Sequence, residues 1–188
     1  MSPLPTPSQT VGPFLSIGLP WDAGERAVPE GTPGEIHIRG RIYDGDGELV
    51  PDALVEVWGP DGDGNFPDLW DYGGPSSVEG FRGFARSGYE EGEGTWQAFT
   101  LKPGPVPAAD GEAMQAPHLA VSVFARGMLH RCVTRIYFGD EPDANAADPV
   151  LQSVPEERRG TLIAMPVDGG YEFDIRLQGE GETVFFDL

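Results

Sequence analysis

Residues 35–58 read Glu35-Ile36-His37-Ile38-Arg39-Gly40-Arg41-Ile42-Tyr43-Asp44-Gly45-Asp46-Gly47-Glu48-Leu49-Val50-Pro51-Asp52-Ala53-Leu54-Val55-Glu56-Val57-Trp58. Ile36, Ile38 and Ile42 fall on one face of an extended chain, with His37, Arg39 and Arg41 on the other. Asp44-Gly45-Asp46-Gly47 carries the residues that turn a chain back on itself. Ala53, Val55 and Val57 then resume the alternation. Two half-buried strands joined by a polar turn make this segment an antiparallel hairpin.

The same pattern recurs along the chain. Strands are predicted over 95–101, 118–125, 129–138, 171–177 and 183–187. Tyr171, Phe173, Ile175 and Leu177 alternate most strongly, against Glu172, Asp174 and Arg176. Asp148-Pro149 reads as a cap and first turn of one short helix ahead of Val150, Leu151 and Val154. Gly and Pro supply 27 and 19 of the 188 residues, and they punctuate the strands. The expected fold is all-β: a prealbumin-like β-sandwich with an extended N-terminal arm and one or two short helices. Residues 1–34 form the arm, which has too little apolar surface to bury itself and is expected to pack on a partner subunit. Residues 35–188 form one domain.

The formal net charge is −19. Such a surface repels phosphate backbones and anionic lipid, which argues against nucleic-acid and membrane-surface roles. An anionic substrate would need a local cation. The single cysteine, Cys132, cannot close an internal disulfide, which suits a reducing compartment. The first residues, Met1-Ser2-Pro3-Leu4-Pro5-Thr6-Pro7, lack a basic start and an apolar run, so a secretory signal is not expected and the cytoplasm is.

Local motifs are sparse. Asp61-x-Asp63-x-Asn65 opens like a calcium loop, but the sixth position is Phe66 and the twelfth Tyr72, so turn chemistry is the simpler reading. His37, His118 and His130 are too far apart in sequence to form a local metal clamp. No nucleophile elbow and no dinucleotide-binding glycine turn occurs.

Longer segments carry more. Thr6-Pro7-Ser8-Gln9-Thr10-Val11-Gly12-Pro13-Phe14, Gly40-Arg41-Ile42-Tyr43-Asp44-Gly45, Leu54-Val55-Glu56-Val57-Trp58 and Lys102-Pro103-Gly104 are four of them. Ala116-Pro117-His118, Phe124-Ala125-Arg126-Gly127, Arg135-Ile136-Tyr137-Phe138 and the ending from Phe173 to Asp187 are the others. Together they resemble the protocatechuate 3,4-dioxygenase family of intradiol ring-cleaving dioxygenases. The resemblance implies two homologous chains. A beta chain holds Fe(III) with two tyrosinates and a His-x-His pair, whose i and i+2 spacing puts both imidazoles on one strand face.

Here that pair reads His118-Leu119-Ala120. Val106 stands where one tyrosine is expected, and the other falls near Tyr72-Gly73. The resemblance is therefore to the alpha chain, with no metal ligand set and no catalytic residue of its own. It implies that Thr10, Gly12, Pro13, Phe14 and Arg126 border the partner's pocket and bind substrate. It further implies cleavage of protocatechuate by O2 to 3-carboxy-cis,cis-muconate in aromatic catabolism, within a higher-order assembly of alpha-beta pairs. The rival reading is an inert prealbumin-like binding or structural module.

Overall fold

Ile38 and Ile42 are buried to 0% and 2% exposure, and they anchor the sheet that the alternation of residues 35–43 predicts. A computed structural model of the chain describes residues 5–67, 76–87, 95–109 and 111–187. A four-residue helix, α1 (Leu15–Gly18), precedes the strands β1 (Glu35–Tyr43), β2 (Leu54–Trp58), β3 (Phe84–Ser87) and β4 (Thr95–Leu101). A small ribbon follows, β5 (Val106–Pro107) and β6 (Met114–Gln115), then β7 (His118–Phe124) and β8 (Cys132–Phe138). Three short helices, α2 (Pro142–Ala147), α3 (Pro149–Ser153) and α4 (Glu156–Arg159), lead to β9 (Ile163–Val167), β10 (Gly170–Glu172) and β11 (Ile175–Arg176).

Hydrogen bonding runs β3-β2-β7-β8 in antiparallel steps. β9 lies parallel to β8 and antiparallel to β10, so it links this half to the other. The second half centres on β1, which pairs antiparallel with β4 and parallel with β10 and β11. The two halves face each other across one core. Ile38, Ile42 and Trp96 come from one side; Val57, Leu119, Val121 and Ile136 come from the other. Each such side chain contributes roughly 1.5–3 kcal/mol by leaving water. No helix among the described residues is long and apolar enough to cross a membrane.

The expected sandwich is present, with four differences of detail. Residues 35–58 are not one hairpin: β1 pairs with β4, β10 and β11, and β2 with β3 and β7, so after a single Tyr43–Leu49 bridge the chain crosses from one half of the sandwich to the other. The stretch 171–177 is two short strands rather than one. A side chain at Gly40 would put its Cβ 1.8 Å from the Phe173 carbonyl oxygen, so the two backbones touch there. Phe173 N–H donates to Arg39 O, and Arg41 N–H turns to the Asp174 carboxylate, which interrupts the ladder. Residues 183–187 make only scattered backbone bonds, such as Phe186 N–H to Val133 O at 2.8 Å, and no strand. Helices are more numerous than the one or two expected. α3 begins at Asp148 as predicted, with its carboxylate accepting from Leu151 N–H, whereas α2 and α4 start without a side-chain cap.

The arm also differs from its predicted extent. Residues 24–28 lie beside β4: Phe99 N–H donates to Glu25 O at 2.8 Å, and Ala27 N–H to Phe99 O at 2.7 Å. Ala27 and Val28 are buried at 2% and 1% exposure. Two adjacent apolar residues are enough to join the inner end of the arm to this chain's own core. Further out, the Arg86 guanidinium donates to Leu19 O and sits 4.9 Å over the Trp21 ring, so the arm crosses the outer side of β2 and β3.

Candidate functional site

Two neighbourhoods hold the residues singled out by sequence. The first is the face of β7 turned away from the core. Leu119, Val121 and Val123 point inward, which leaves His118, Ala120, Ser122 and Phe124 on the other side. His118 and Ala120 thus keep the i and i+2 geometry, but Ala120 offers a methyl group. Across the ladder, Tyr137 stands opposite His118 and Arg135 opposite Ala120.

These residues are tied into a buried network. Arg135 donates to Gln115 Oε1 at 2.7 Å and lies 3.3 Å from the Tyr137 hydroxyl. Tyr137 donates to Asp148 Oδ1 at 3.0 Å. Asp148 also accepts from Leu151 N–H and, through Oδ2, from Ala116 N–H at 2.8 Å. His118 Nδ1 lies 2.7 Å from Ala116 O, so Nδ1 carries the proton and donates. Burial first, and the Arg135 charge second, push the imidazole from its ordinary value of 6.5 down to about 4.

That shift has a sign. The unfolded chain takes up a proton near pH 6.5, while the folded chain resists it. The contribution of His118 to stability is therefore complete above about pH 6.5 and is lost as the pH falls toward 4. The loss is about 3 kcal/mol, and His118→Gln is expected to flatten it. Urea midpoints at neutral and acidic pH, compared between the two proteins, check this.

The second neighbourhood is the turn after β7. Gly127 adopts a φ of +87°, which a side chain would oppose, and its N–H donates to Thr10 Oγ1 at 2.8 Å. The Ser8 hydroxyl donates to Leu129 O in the same turn. Thr10 and Arg126 are thus brought together by contacts within this chain. Arg126 Nε lies 3.0 Å from Asp52 Oδ2, an ion pair that sequence reading missed. Gly12 has a φ of +78° and bends the arm just after Thr10. Phe14 is 76% exposed and Ile17 75% exposed, a bare apolar edge on the arm. Thr10→Val removes the acceptor for Gly127 N–H, at about 0.5–1 kcal/mol. Limited proteolysis of the arm is then expected to run about two- to fivefold faster.

The chain matches the Dioxygenase family model over residues 11–179. It is 44% identical to the protocatechuate 3,4-dioxygenase alpha chain of Pseudomonas putida, over 97% of this chain and 96% of that one.

The chain belongs to the intradiol dioxygenase family.

The beta chain of the Burkholderia cepacia protocatechuate 3,4-dioxygenase is a further relative, 34% identical over 88% of this chain and 74% of its own length. Catechol 1,2-dioxygenase from Pseudomonas arvilla C-1 shares the fold, with a TM-score of 0.58 at 19% identity, over 82% of this chain and 55% of that one. Intradiol dioxygenases are non-haem iron proteins. The described residues of this member do not fit the ion. His118 is held as a metal-binding histidine is held, with Nδ1–H on a carbonyl. Yet Ala120 and Val106 have no donor atom, and the Arg135 cation stands across from Ala120, where a cationic metal would be repelled. The position near Tyr72 lies outside the described residues.

Proposed function

We propose that this chain is the non-iron-binding alpha subunit of a protocatechuate 3,4-dioxygenase, working in the cytoplasm with a homologous iron-binding beta subunit. The observation that carries the reading is the near end-to-end match to an alpha chain, joined to donorless side chains at Ala120 and Val106. The complex opens the ring of protocatechuate between its two hydroxyl-bearing carbons, with both atoms of O2 entering 3-carboxy-cis,cis-muconate. Fe(III) on the partner supplies the activation of the bound catecholate.

This chain supplies walls and charge. Arg126 meets the substrate carboxylate with charge-assisted hydrogen bonds. Thr10, Gly12, Pro13 and Phe14 close one side of the pocket and keep water out. Contacts from Thr10 and Ser8 to the β7–β8 turn support this arrangement, because they hold the arm beside Arg126. The exposed Phe14 and Ile17 side chains supply apolar area for the partner. Pairs of the two chains join into a larger assembly.

Co-expression with a homologous chain bearing an intact His-x-His tests the reading. The expected result is a stable complex that takes up O2 when given protocatechuate, while this chain alone takes up none. Failure of the two chains to copurify overturns it.

A further inference from the structure

We propose that Asp52 is a positioning residue for Arg126, setting the direction in which its guanidinium meets a substrate carboxylate. The inference rests on the reading that Arg126 binds that group. The β2–β7 ladder pairs Leu54 with Phe124. Two residues further along, beyond the ladder, Asp52 and Arg126 stand opposite each other. Residues so placed across antiparallel strands attract modestly when their charges are opposite, which is enough to bias a side chain's direction.

The pair is asymmetric. The Arg126 side chain is 59% exposed, and that of Asp52 only 14%. Asp52 Oδ2 is shielded from water and has no aligned hydrogen-bond donor, so the nearby guanidinium charge offsets its burial. Arg126 approaches it through Nε, at 3.0 Å. A guanidinium presents five N–H donors in a rigid fork. Nε is the guanidinium atom that meets Asp52 Oδ2, as a charge contact and not as an aligned hydrogen bond, which leaves the other N–H groups of the fork available to a ligand. The Thr10 bond to Gly127 N–H fixes the backbone next door. An arginine on an exposed turn otherwise samples many rotamers, which dilutes any one binding geometry. Asp52 removes that freedom from the inner side.

The test compares dissociation constants of protocatechuate and of catechol, which lacks the carboxylate, in the co-expressed complex. Four proteins are needed: the parent, Asp52→Asn, Arg126→Ala and the double variant. Asp52→Asn is expected to weaken protocatechuate about tenfold, catechol less than twofold, and to add almost nothing once Arg126 is gone. Asp52→Glu, which keeps the charge, is expected to recover part of the loss. If Arg126→Ala weakens protocatechuate while Asp52→Asn does not, positioning by Asp52 is overturned and the reading of Arg126 stands. If Arg126→Ala changes nothing, the underlying reading falls, and the proposal with it. Equal weakening of both ligands, or additive effects in the double variant, makes Asp52 merely structural and also overturns the proposal.

Discussion

Arg126→Ala, measured in the complex with the partner chain, is expected to weaken protocatechuate binding about ten- to a hundredfold while leaving the iron content unchanged. A hydrogen bond to a charged group contributes about 1.5–3 kcal/mol, and each 1.4 kcal/mol is a factor of ten. In this chain alone Arg126 is 59% exposed, so its pairing with Asp52 is screened and stabilises the fold little. On the proposed reading a partner subunit covers Arg126, so the screening falls and the carboxylate contact gains strength. Arg126→Lys is expected to recover only part of the loss, because a point charge does not reproduce the planar fork. Spectral titration of both variants with protocatechuate checks the size of the effect. Parent-like affinity in Arg126→Ala removes the residue from the pocket.

Asp148→Ala is expected to lower the stability of the chain by about 4 kcal/mol: it loses three partners at about 1–3 kcal/mol each, and contacts that share one group add less than fully. Asp148 has 0% exposure and accepts from the Tyr137 hydroxyl, Leu151 N–H and Ala116 N–H. It therefore joins β8, the start of α3 and the strand entry before β7 at one point. The alanine variant strands all three donors beside Leu151, Val154 and Leu162, which pack there as an apolar cluster. For a chain of this length the corresponding fall in melting temperature is about 8–16 °C. Asp148→Asn keeps one acceptor oxygen but turns an amide toward a donor, so its loss is expected to be intermediate. A fall of less than about 3 °C in the alanine variant contradicts the assignment of Asp148 as a hub.

Much of the fold was legible where side chains face water on one side and core on the other. Glu35–Tyr43 and Thr95–Leu101 carry that alternation, and the strands occupy those residues. β3 was not seen, because Phe84-Ala85-Arg86-Ser87 is only four residues long and follows a glycine-rich stretch. β9 was missed for another reason: it contains Pro166, and only Ala164 in it is fully buried. The break in 171–177 comes from Gly40 meeting Phe173, a contact between distant segments that no local period encodes.

The candidate site residues were named only through resemblance. Thr10 and Arg126 lie 116 positions apart in the sequence, and nothing in either segment alone predicts that the Thr10 hydroxyl reaches the neighbouring Gly127 N–H. Asp52 was not singled out in the sequence. Its pairing with Arg126 depends on the register of β2 against β7, which chain spacing does not determine. Asp148 was read correctly as a cap, but its links to Tyr137 and Ala116 depend on tertiary packing.

The central claim is that this chain leaves the iron to its partner and keeps the arm and Arg126. The most direct measurement is the visible spectrum and iron content of this chain alone, expressed with ample iron. The account predicts a colourless protein with no bound iron, and colour only when the beta chain is present. A tyrosinate-to-Fe(III) charge-transfer band from this chain by itself contradicts the account.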